Sequence, residues 1–96
     1  MGINKIVEFI KTEKKNIVIE IDSIFNEQFT ITSANFTLKD SLGNILIDSV
    51  EAEIDSQEIY YLLDTTAYDV GRYVAEFQYV INTERLIARI KIAIIE

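Results

Sequence analysis

Carboxylates and tyrosines are the side chains whose spacing in this 96-residue chain invites chemistry. Asp40 with Asp48, and Asp64 with Asp69, carry the oxygen ligands that calcium takes. Neither pair lies in a loop of alternating oxygen donors, and Asp40 and Asp69 already serve turns. Glu51, Glu53 and Asp55 would have to meet across a cleft at a set separation to hydrolyse a glycoside. Their every-second-residue spacing instead puts them on one outer, solvated strand face. Tyr60, Tyr61 and Tyr68 cluster near one end of the expected fold, where exposed aromatic rings stack on sugars or anchor a protein partner. Tyr61 falls in the inward set, which leaves Tyr60 and Tyr68 as candidate ligand contacts. Histidine and cysteine are absent, which removes Ser-His triads, thiolate nucleophiles and cysteine zinc sites. No enzyme, cofactor or metal site is expected.

The composition limits the scaffold that positions these groups. A chain of 96 residues makes one domain, expected to span 1–96, and buries only about 60 to 65 % of its unfolded surface. Its 49 % apolar content is dominated by isoleucine, whose branched β-carbon packs well on a pleated sheet. The formal charge of -7 opposes docking on phosphate backbones, so nucleic acid and anionic membranes are not expected partners. Lys14 and Lys15, the one adjacent basic pair, read as part of a solvated turn. The first fifteen residues, with Glu8 and Lys11 interrupting their apolar positions, are neither a signal peptide nor a membrane span.

Alternation places the strands. Residues 5–10, KIVEFI, fit a helical face or an edge strand, and shortness with no clear N-cap favours the strand. Lys11 to Asn16 reads as a loop, and Ile17, Ile19 and Ile21 as a strand. Ser23 to Ser33, with scattered Phe25, Phe29 and Ile31, reads as a loop capping one end of the core. Ala34, Phe36 and Leu38 start a strand that turns at Asp40 to Asn44, where Gly43 supplies a positive φ. Val50, Ala52 and Ile54 alternate with acids, Ser56-Gln57 turns the chain, and Ile59, Tyr61 and Leu63 follow. Asp64 or Thr65 caps a short helical turn.

The longest alternation begins at Asp69. Asp69, Gly71 and Tyr73 stand in the D-x-G-x-Y order of a tyrosine corner, in which the tyrosine hydroxyl bonds an upstream backbone group. In this reading Gly71 turns the chain without a Cβ clash and Asp69 ties the turn. Tyr73, Ala75, Phe77, Tyr79 and Ile81 point inward, as do Leu86, Ala88, Ile90, Ile92 and Ile94 on the last strand. Glu76 then faces Arg89 or Lys91 across the pair. Val74, Val80, Ile87 and Ile95 lie on the outward face, which normally carries polar residues. They are the candidate interface, to be covered by a partner, a copy of the chain, a loop or the N-terminal segment.

Seven to eight short strands with regular turns and no proline predict an all-β, immunoglobulin-like antiparallel β-sandwich. Ala75 stands where antibody domains place their second core cysteine, and there is no tryptophan. The order NIVIEI, SANFTLKDSLGNILID, EIYYLLD and GRYVAEFQYVI resembles small immunoglobulin-like modules of bacteriophage and prophage tail and baseplate proteins over residues 15–95. It departs from them at Glu13 to Asn16, where a Gly-Asp pair is usual. The resemblance implies a non-enzymatic structural module in a virion or bacterial cytoplasm, contacting other protein subunits or forming a homo-oligomer. A carbohydrate- or cell-surface-binding module is the alternative.

Overall fold

The computed structural model describes residues 6–21 and 29–96, so Phe25 and most of the predicted 23–33 cap lie outside the described residues. The alternating segments form strands β1 (Ile6–Ile10), β2 (Lys14–Glu20), β3 (Ile31–Asp40), β4 (Ile45–Glu51), β5 (Glu53–Asp55), β6 (Glu58–Asp64), β7 (Gly71–Ile81) and β8 (Glu84–Ile95). They build a five-stranded sheet, β1-β8-β7-β3-β4, and a three-stranded sheet, β2-β6-β5. With β7 between β8 and β3 in the larger sheet and β6 between β2 and β5 in the smaller, this is the G-F-C and B-E-D arrangement of an immunoglobulin sandwich.

Four elements differ from the sequence reading; the simplest is β3, which begins at Ile31, inside the predicted 23–33 loop, where Ile31 and Ser33 pair with Ile81 and Val80. β1 is a strand, but it runs parallel to β8, pairing Ile6 with Lys91 and Ile10 with Ile95, so the sandwich is antiparallel in every other pair. β2 starts at Lys14, inside the predicted loop, so Lys15 is an exposed strand residue and not part of a turn. Its Nζ sits 4.7 Å over the Phe9 ring and donates to the Glu8 carbonyl. The Val50 to Asp55 alternation is not one strand. The chain changes sheets at buried Ala52, whose N–H bonds the Ala34 carbonyl, and this leaves β4 and β5 in different layers.

The core lies between the layers and is centred on Phe36, whose ring stacks on Tyr61 of the opposite sheet at 4.2 Å and meets Phe77 edge-on at 5.1 Å. Ile17, Ile59, Leu63, Ala75, Ile90 and Ile92 surround it, fully buried. One end is closed by a stitch that alternation does not signal. Buried Thr65, in the 3₁₀ turn Thr65–Ala67, donates through N–H and Oγ1 to the Glu13 carbonyl, while Lys11 Nζ donates to the carbonyls of Thr66 and Tyr68.

Candidate functional site

The sequence-predicted structural residues fall into two turns. At the β3–β4 turn the Asp40 carboxylate accepts from the N–H groups of Leu42 and Asn44 and from Asn44 Nδ2, while Gly43 takes φ +88°. The Asn44 side chain, then its backbone N–H, hold the Asp40 carboxyl below its ordinary value. At the entry to β7, Tyr73 Oη donates to the Asp69 carbonyl at 2.6 Å, closing the corner. Asp69 acts there through its main chain. Gly71 corrects the reading: it lacks a positive φ, and an added Cβ would meet only Tyr73 Cε1, at 4.0 Å. Nothing in the backbone there demands glycine.

Tyr60 and Tyr68 do not form one platform. Tyr60 lies on the outer face of the three-stranded sheet, opposite Val18 and Glu53. Tyr68 lies beyond the 3₁₀ turn with its ring edge-on to Tyr73 at 6.2 Å. Burial, followed by Tyr61, Tyr73 and Asp64, pushes its hydroxyl pKa up.

The four candidate interface residues share the outer face of the five-stranded sheet but are not contiguous. Ile95 and Ile87 stand eight residues apart on β8, about 27 Å at the ordinary strand rise. Between them lies the row where Glu76 pairs with Thr37 and Arg89. Glu76, at 7 % exposure, is buried despite its outward parity because Arg89 Nε (2.8 Å) and Lys39 Nζ (3.5 Å) converge on its Oε2. The Arg89 hydrogen bond holds its carboxyl below the ordinary value, against burial, and the Lys39 and Arg89 charges act in the same direction. Gln78 Nε2 donates to Thr37 Oγ1 beside this network.

The network splits the proposed patch. Half-buried Val80 and exposed Ile87 sit among Asn35, Gln78 and Arg85 at the polar end. Val74 and Ile95 sit at the other end, where β1 adds Ile6 (52 % exposed) and Ile10 (53 %) to Ile95 (39 %). The described part of the N-terminal segment therefore extends this face at its edge and does not cover it. A depression of about 300 Å³ opens there, lined by Ile6, Arg72, Val74, Lys91 and Ala93. Ile6 and Ile10 were missed because their strand parity relative to β8 depends on the parallel register.

The opposite outer face, on the three-stranded sheet, carries exposed Val18 and Leu62, with Tyr60 between Val18 and Glu53 and next to an acidic row. Glu20, Glu58 and Asp55 stand directly opposite one another across its three strands. Among the described residues no group of His, Cys, Asp or Glu is arranged to hold a metal ion, and no helix is long and apolar enough to cross a membrane. No family model and no curated protein matches the chain.

Proposed function

We propose that the chain is a non-enzymatic contact module, a structural subunit of a phage- or prophage-type tail particle that docks on other protein subunits through its outer sheet faces. The observation that carries this reading is the exposed aliphatic end of the five-stranded sheet, where Ile10 and Ile95 stand paired and Ile6 lines a depression flanked by Arg72 and Lys91. An apolar centre with a charged rim is the anatomy of a protein interface.

The perturbed carboxylates support the same reading. Asp40, Asp64 and Glu76 are all held below their ordinary values, by Asn44, Thr66 and Arg89 respectively, which keeps them ionised and committed to turns and to one ion-pair network. A general acid needs the opposite shift, toward neutrality. The tail-particle assignment itself draws on the order of strands and turns, which resembles the tail and baseplate modules.

Tail-like particles purified from an induced culture of cells encoding the chain will contain it in fixed stoichiometry. Ile6→Glu with Ile95→Glu will remove it from the particles while the purified variant keeps its unfolding temperature. Recovery of the wild-type chain only as free protein contradicts the reading.

A further inference from the structure

The two outer faces carry opposite charge. Lys39, Arg72, Arg85, Arg89 and Lys91, five of the nine basic residues, all fall at outward positions of β3, β7 and β8, against Glu76 among them and Glu8 and Glu51 on the flanking β1 and β4. Outward positions of β2, β5 and β6 hold Glu20, Glu53, Asp55, Glu58 and Asp64 against Lys14 alone. Each face also has an apolar centre: the depression floored by Val74 and Ala93 on the basic side, and Val18, Tyr60 and Leu62 on the acidic side. Like charges directly opposite on adjacent strands are destabilising. The Glu20–Glu58–Asp55 row is therefore an unfavourable feature of the lone chain that a cationic surface would relieve.

We propose that copies of this chain stack head to tail, the basic face of the five-stranded sheet on the acidic face of the three-stranded sheet of the next copy. The inference rests on the reading of the outer faces as contact surfaces and names the partner as a second copy, because the chain itself carries the complementary apolar and charged surface. The contact is heterologous, so it leaves a free face at each end and grows into open stacks or rings; it does not close as a dimer.

Two magnitudes set its strength. Two strands of seven residues and one of three offer a footprint of about 280 Å², well below the roughly 800 Å² per partner of a standard interface. Stacking is therefore weak and concentration-dependent in free solution. The net charge of -7 makes whole copies repel, but at about 0.15 M salt that repulsion is screened beyond ~8 Å while contact pairs are screened less. Raising the salt to about 1 M, where screening reaches ~3 Å, removes the contact pairs as well.

The test uses sedimentation equilibrium of the full chain and two double variants. Arg72→Glu with Lys91→Glu spoils the basic face, and Glu53→Lys with Glu58→Lys spoils the acidic face; all four positions are on the surface and none belongs to the Glu76 network. The wild type will show a mass rising with concentration past that of a dimer, reversed by high salt. Each variant alone will remain a folded monomer. A mixture of the two will associate again, because the intact basic face of one variant meets the intact acidic face of the other. A wild type that stays monomeric throughout overturns the stacking, even if the chain is found in particles. So does association that survives either double variant, or a mixture that stays monomeric.

Discussion

Arg89 Nε donates to Glu76 Oε2 at 2.8 Å straight across the β7–β8 ladder, and Lys39 reaches the same oxygen from β3. An exposed cross-strand pair would add only about 0.2 to 1 kcal/mol. Glu76 is buried, so leaving its two cations without a carboxylate should cost more. With Arg89 itself largely exposed, Glu76→Gln is expected to lose about 1 to 2 kcal/mol in urea unfolding. The folded-state pKa of Glu76 is depressed from 4.5, so its stabilisation is complete above that pH and is lost as pH falls through the folded value. The acid limb of the stability profile should therefore be shallower in Glu76→Gln than in wild type. Parallel acid limbs would show that the network is energetically silent.

Tyr73→Phe removes one hydrogen bond, from Oη to the Asp69 carbonyl at 2.6 Å, and leaves the ring in place. Asp69 is exposed, so water replaces the lost donor and the cost is expected at about 1 kcal/mol. Burial, then the charges of Asp69 and Asp40, raise the Tyr73 pKa above 10.0. A raised pKa stabilises below the unfolded value and is lost as pH rises through the folded one. Calorimetry above pH 10 should show a gentler alkaline decline in Tyr73→Phe.

The two turn glycines should behave differently. Gly43 has open space around it but sits at φ +88°, so Gly43→Ala is expected to cost about 1 to 2 kcal/mol through backbone strain alone. Gly71→Ala places its methyl in ordinary contact with Tyr73 at a φ that any residue adopts, and should fall within about 0.5 kcal/mol of wild type. Equal losses at both positions would be evidence against this assignment of roles.

Glu58 stands between Glu20 and Asp55 on the three-stranded sheet. Reversing the middle charge turns two repulsive cross-strand neighbours into attractive ones, so Glu58→Lys is expected to raise monomer stability by roughly 0.2 to 1 kcal/mol at low salt. A fall in melting temperature would mean that the acidic row is relieved within the monomer.

Much of this architecture is legible in local patterning. Period-two alternation locates β3, β6, β7 and β8, since burying one sheet face fixes the parity of every residue in a strand. Asp40 with Gly43 locates the hairpin, and Asp69 with Tyr73 locates the corner. What local patterning cannot carry is which layer a strand joins. Val50 to Asp55 alternates without interruption, yet β4 pairs with β3 and β5 with β6, and the Ala52–Ala34 hydrogen bond marks the change of sheet. The candidate contact surface suffers most from this. Val74, Val80, Ile87 and Ile95 share a face by parity, but their separation by Glu76, and the company of Ile6 and Ile10, depend on registers between distant segments. The opposition of a basic and an acidic face has the same origin, because it requires knowing that β2, β5 and β6 lie behind β3, β7 and β8.

A dilution series of amide nitrogen–proton correlation spectra reports on both faces at once. On concentrating the wild-type chain, shifts should appear together on outward residues of β2 and β6, around Val18, Tyr60 and Leu62, and on outward residues of β7 and β8, around Arg72, Val74, Lys91 and Ala93. They should be absent from the exposed edge of β4 and should vanish at high salt. Spectra that do not change with concentration, or changes confined to one face or to β4, would contradict contact through the two opposed sheet faces.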